Sequence, residues 1–100
     1  VKITSQYNDG VARLSLSGEL DMSTTQELHD QVTTALAGAR LRSLVIDAVD
    51  LDFCDSSGIQ ALVHSRSAAA RQGVAFQLAN AHGVTRRVLQ VTGVLDELSR

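Results

Sequence analysis

Phe53-Cys54-Asp55-Ser56-Ser57-Gly58-Ile59 brings a carboxylate, two hydroxyls and a glycine into one short stretch. Before it, the apolar run Leu44-Val45-Ile46 with Ala48-Val49 reads as a buried strand over residues 43–49. After it, Ile59, Leu62 and Val63 recur at helical spacing. The hydroxyls are therefore expected at a helix N-terminus, where unpaired N–H groups and the helix dipole favour negative charge. Two chemistries fit this placement. In one, Asp55, Ser56 or Ser57 caps the helix, as Asp and Ser commonly do. In the other, a serine accepts a phosphate, which a helix N-terminus receives well and which adds about −1.5 to −2 charges beside Asp55. Gly58, with no side chain, would let another protein approach the serines closely. An interface built around a neutral serine would then be broken by like-charge repulsion and desolvation.

No catalytic set accompanies these residues. Ser57 and His64 would lie about 10 Å apart along one helix, too far for a nucleophile and its base. The G-x-S-x-G elbow is absent. His29 and His82 are isolated in sequence, and no His, Cys or acidic pair has metal-ligand spacing. Asp50, Asp52 and Asp55 read as loop and cap residues rather than cation ligands. With neither a P-loop nor a G-x-G-x-x-G, a self-sufficient nucleotide site has no support, so no cofactor, no metal and no catalytic residue is expected. Cys54, the single cysteine, rules out an internal disulfide and reads as a small buried hydrophobe.

The balance of the chain excludes further classes. A formal net charge of −2, from 9 basic and 11 acidic residues, steers it toward neither nucleic acid nor anionic lipid. Trp is absent and Phe and Tyr together number three, too few for a base-stacking platform. No apolar run approaches a membrane span, no signal-peptide pattern opens the sequence, and the lone thiol suits a reducing compartment. A cytoplasmic location and a monomer are expected. The chain opens on Val1 rather than Met, which keeps open a module cut from a longer protein.

One hundred residues allow one domain, 1–100, with a single core. Residues 2–7 and 11–17 read as strands joined by the turn signal Asn8-Asp9-Gly10, and Gly18-Glu19-Leu20-Asp21 reads as a loop. A helix is expected from near Thr24, with Thr24 and Glu27 at capping-box spacing, Leu28, Val32, Ala35 and Leu36 on its apolar face, and Gly38 as its stop. The helix after the serines should run to about Arg71 and close at Gly73, followed by a strand over 74–78. A helix over 84–91 carries Val84, Val88 and Leu89, and a last helical turn carries Val94, Leu95 and Leu98. The order is ββαβαβα with a short C-terminal helix. Strands separated by helices pair in parallel through right-handed crossovers, while the opening hairpin adds an antiparallel edge. The fold class is α/β with a mixed sheet. Asp21 and the Asp55–Gly58 loop should share the carboxyl-end rim, where such sheets gather their ligands.

Gly18-Glu19-Leu20-Asp21, the Phe53–Ile59 stretch and Val91-Thr92-Gly93-Val94 together resemble the STAS domain of bacterial anti-sigma factor antagonists, over nearly the whole chain. The resemblance implies a partner-switching regulator that is not an enzyme. In such a system the unphosphorylated protein binds an anti-sigma factor that is also a serine kinase, and sigma factor is freed. The kinase, using ATP and Mg²⁺, phosphorylates the second serine of the loop, here Ser57, and a metal-dependent serine phosphatase resets it. Spacing alone does not choose Ser57 over Ser56; the family pattern does. It leaves Ser56 as cap or support and assigns Asp21 and Asp55 to kinase docking and loop geometry. Cys54 stands where the family commonly has a larger apolar residue. STAS domains also occur within transporters and larger complexes, which makes a constitutive interaction module the alternative. Direct nucleotide binding at the rim near Asp21 is a third, weaker possibility.

Overall fold

The computed structural model describes residues 1–38, 40–91 and 93, the side chains of residues 84, 88 and 91 excepted. The elements run β1 (Lys2–Asn8), β2 (Val11–Leu20), α1 (Thr25–Gly38), β3 (Ser43–Cys54), α2 (Ser56–Arg71), β4 (Ala75–Ala79) and α3 (Gly83–Val91). The sheet order is β1-β2-β3-β4, with β1 antiparallel to β2 and the β2–β3 and β3–β4 pairs parallel. This is the mixed α/β arrangement expected from the element order. Asp9 and Gly10 take φ of 52° and 81°. Two successive left-handed residues give the hairpin turn whose twist matches its strands.

Alternation along β2 buries Ala12, Leu14, Leu16 and Leu20, which meet Leu44, Ile46, Ala48 and Leu51 of β3 in one core. Leu28, Val32, Ala35 and Leu36 of α1 join it, as their helical spacing requires. Leu62 and Ala69 of α2 complete the cover, and α3 adds Leu89. Helix α2 ends with Gly73 at φ 71°, its N–H donating to Ala70 O at 3.1 Å while the Val74 N–H donates to Ala69 O at 2.9 Å. These two bonds are a Schellman closure.

Several boundaries differ from the sequence reading, most of all in β3 and β2, while β1, β4 and α3 shift by single residues. Strand β3 continues past residue 49 to Cys54, and β2 runs through Gly18 to Leu20 instead of turning into a loop. The register slips twice, between Ser15 and Ser17 and between Gly18 and Glu19, so β3 carries extra residues there. Each bulge resets the period-2 alternation, leaving Val49 and Asp50 exposed between buried Ala48 and Leu51, and Asp52 and Phe53 exposed between buried Leu51 and Cys54. A reading by alternation stops at the first slip. The Thr24–Glu27 box is replaced by another arrangement: Thr24 Oγ1 accepts from the Asp21 N–H at 2.9 Å, turning back into the preceding loop. Strand β4 begins one residue later than expected. The last helical turn around Val94, Leu95 and Leu98 lies outside the described residues.

Three buried polar residues among those described, Asp47, Ser65 and Thr85, were missed in sequence, and Asp47 is the charged one. Asp47, on β3, is 7% exposed. Arg13 Nη2 donates to its Oδ2 at 2.6 Å, and its Oδ1 accepts from Asn80 Nδ2 and the Val49 N–H, each at 3.0 Å. The only signal was an Asp interrupting an apolar run. Burial pushes the Asp47 carboxyl upward, but Asn80, Arg13 and Val49 outweigh it and hold the group below its ordinary value. A carboxylate depressed in the folded state contributes stability above the unfolded value of about 3.9, and loses it as pH falls through the lower folded value. Asp47→Asn is therefore expected to cost about 1–2 kcal/mol near pH 7, a figure discounted because the Arg13 side chain is 40% exposed. Urea midpoints at pH 7 and pH 2.5 check this: the gap to wild type should close in acid. A gap that persists unchanged would mean the charge contributes nothing.

Candidate functional site

The site is assembled by two parallel strand ends in register, Leu20 opposite Cys54. The Asp55 N–H donates to Leu20 O at 3.2 Å, so the chain segments leaving β2 and β3 are tied together where the sheet stops. Asp21 and the serine turn thus occupy the same carboxyl-end rim.

Asp55 is the N-cap of α2. Its backbone is extended, with φ −88° and ψ −173°, and its Oδ1 accepts from the Gly58 N–H at 2.9 Å. Its carbonyl accepts from the Ile59 N–H at 2.9 Å. Two first-turn amides, Ser56 and Ser57, then have no protein acceptor among the described residues. They and the helix dipole are what an anion at this end would meet. Capping therefore falls to Asp55, one of the three residues the sequence offered, and of the two roles read for Ser56, cap or support, the cap is corrected: Ser56 is the first helical residue and exposed. Ser57, one residue on, is half-buried and turned into a groove between α1 and α2, where Met22 and Gln60 are among its neighbours on the wall. The two serines are adjacent in sequence and differ in surroundings.

Gly58 is buried, which corrects its reading as a place of outside approach. A Cβ built there would lie 2.5 Å from Leu20 O and 2.6 Å from Cys54 Sγ. The missing side chain lets the first turn of α2 sit directly on the ends of β2 and β3. Cys54 is 3% exposed, and burial, with a smaller push from Asp55, raises its thiol to about 11. It stays protonated at neutral pH and serves as packing, as the sequence suggested.

Asp21 organises its own loop. Its Oδ1 accepts from the Ser23 hydroxyl at 2.6 Å and the Ser23 N–H at 3.0 Å, and its carbonyl accepts from the N–H groups of Thr24 and Thr25, both at 3.0 Å. The Ser23 hydroxyl is the main cause of a carboxyl pKa below the ordinary value. Among the described residues no group of three His, Cys, Asp or Glu side chains could hold a metal ion, and no helix is long and apolar enough to cross a membrane.

The family model described as "Mlab, STAS domain" matches residues 3–99. The chain belongs to the STAS family. This STAS domain is 32% identical, over its 100 residues, to the anti-sigma-F factor antagonist RsfB of Mycobacterium tuberculosis, and the match covers 100% of this chain and 80% of RsfB. The crystal structure of an anti-sigma factor antagonist from Mycobacterium paratuberculosis superposes with a TM-score of 0.85 at 27% identity, covering 97% of this chain and 81% of that one. SpoIIAA, a Bacillus cell fate determinant solved in its phosphorylated form, gives a TM-score of 0.70 at 23% identity, covering 99% and 89% of the two chains. At that identity SpoIIAA speaks for the fold alone.

Within this STAS domain the rim brings Asp21, Asp55, Ser56, Ser57 and Gly58 together, each in a distinct place: loop knot, cap, exposed first turn, groove wall and buried contact. The groove itself was not foreseen. Its walls come from α1 and α2, and sequence spacing within each helix carried no sign that their polar edges would face one cleft. Asp55→Ala is expected to destabilise the domain by about 1 kcal/mol through loss of the cap. Thermal unfolding checks it, and Asp55→Ser should recover most of the loss.

Proposed function

We propose that this STAS domain is an anti-sigma factor antagonist whose hold on its partner is ended by phosphorylation of Ser57. The observation that carries the reading is the placement of Ser57: a neutral hydroxyl, half-buried, on a groove wall at the start of α2, beside amides that can receive a phosphate. The names of RsfB and of the Mycobacterium paratuberculosis protein support the antagonist role. Unphosphorylated, the domain binds an anti-sigma factor and so frees sigma factor. That partner is itself a serine kinase, which transfers the γ-phosphoryl group of ATP to Ser57 Oγ, the β,γ P–O bond breaking to release ADP and the hydroxyl proton passing by way of the kinase to solvent. A serine phosphatase hydrolyses the ester and restores binding. In this cycle the domain is substrate and binder, acting as a cytoplasmic monomer, and all catalysis belongs to its partners. Asp55 sets the turn, Asp21 shapes the neighbouring loop where the kinase docks, Ser56 supports the turn, and Gly58 seats it.

The test is intact-mass analysis with site mapping after incubation with anti-sigma kinases and Mg-ATP, followed by binding of the modified chain. One phosphate, on Ser57, that abolishes binding is the expected result. A phosphate on Ser56 instead, or a Ser57 phosphate that leaves binding intact, would overturn the reading.

A further inference from the structure

The cleft between α1 and α2 has a volume of about 530 Å³ and runs along both helices. Ser57, His64 and Arg71 line it from α2, recurring every seven residues as a stripe about 21 Å long. His29 faces it from α1, and Met22, 79% exposed, stands at the Ser57 end. Among the described residues, the titratable groups lining the cleft are His29, His64 and Arg71, and no carboxylate lines it. Carboxylates stand just outside this lining: Asp30, whose Oδ1 accepts from Gln26 Nε2 at 2.9 Å, and, at the Ser57 end, Asp21 beside Met22 and the helix cap Asp55. Its floor is small and apolar, with Val32 from α1 and Ala61 and Ala68 from α2. Small side chains let a third helix come to the usual packing distance of about 8–10 Å.

From this we infer that the α1–α2 cleft is the docking groove for an amphipathic helix with acidic flanks, supplied by the anti-sigma partner. The length of the stripe matches about four turns of such a helix. Its apolar face covers Val32, Ala61, Ala68 and Met22. Its carboxylates meet Arg71 at one end and the His29 and His64 side chains along the middle, and its last turn lies over Ser57. The inference deepens the function proposed above and rests on it for the identity of the partner. It also gives release a cause: a phosphate on Ser57 places negative charge under an acidic occupant.

The test uses the full chain, ¹⁵N-labelled, titrated with a synthetic amphipathic helical peptide of about 16 residues, Leu and Ala on one face and Glu on its flanks, and with its Lys-for-Glu counterpart. Saturable shifts confined to α1 and α2 are expected with the Glu peptide, binding about tenfold tighter than the Lys peptide and weakening as salt rises. Arg71→Glu and His64→Glu, both at exposed positions, should each weaken the Glu peptide about tenfold while leaving unfolding midpoints unchanged. Equal binding of the two peptides, shifts centred elsewhere, or no saturation at millimolar concentration would overturn the groove. Loss with Arg71→Glu but not with Ser57→Asp would support the groove and count against charge-controlled release.

Discussion

Ser57→Asp is expected to lower affinity for the anti-sigma partner about thirtyfold or more, while Ser57→Ala binds as tightly as wild type and is never released. The reason lies in the difference between the free and bound states. In the free domain, charge at position 57 is tolerated, because it stands at the start of α2 near the unpaired amides of Ser56 and Ser57. The variant should therefore fold with an unchanged or slightly raised melting temperature. In the complex the same charge is covered by the partner and loses its water. Leaving a charge buried without its counter-charge costs about 2–5 kcal/mol, which is about thirtyfold or more in affinity. Calorimetric titration of both variants against the partner, with melting curves alongside, separates the two states. A Ser57→Asp variant that binds like wild type would remove charge as the switch, whatever its stability.

Gly58→Ala is expected to destabilise the domain by about 1–3 kcal/mol and to displace the serine turn. On an exposed helix the same change would stabilise by roughly 0.5–1 kcal/mol, since alanine is the better helix former. The sign is thus decided by packing. The new methyl would meet Leu20 O at 2.5 Å, Cys54 Sγ at 2.6 Å and Leu20 Cγ at 3.1 Å. The sulfur can be removed by a second substitution, but the carbonyl cannot yield easily, because it holds the Asp55 N–H and belongs to a strand paired with β3. Adding Cys54→Ala should accordingly recover only part of the loss. Denaturant midpoints for the single and double variants give the measurement. Neutral behaviour of Gly58→Ala would show that α2 can lift off the strand ends without cost, and full recovery in the double variant would place the conflict at sulfur alone. Partner affinity should fall with stability here, because the displaced turn carries Ser57 with it.

Much of the architecture was readable from local patterns, and the reasons are specific. Leu28, Val32, Ala35 and Leu36 lie on one face of α1 at any orientation of the helix, so their burial followed from spacing alone. Asn8-Asp9-Gly10 carries a turn whose left-handed backbone few other residues accept. The apolar run of β3 between two helices demanded a buried parallel strand, and the family motifs at residues 18–21 and 53–59 singled out the serine turn. What failed locally was alternation in the second half of β3, where two register slips shift the faces.

By itself, then, the sequence determined the element order, the helix faces, the hairpin and the place of the serines at a helix start. Those depend on residues near one another along the chain. Which residue caps that helix, which serine lies in a groove, and why the glycine must be a glycine were decided only in three dimensions. The cap needs Asp55 extended between β3 and α2, the groove needs α1 beside α2, and Gly58 needs Leu20, thirty-eight residues earlier, directly beneath it. Contacts across such separations leave no periodic trace in the chain, because each partner looks ordinary until the sheet brings them together.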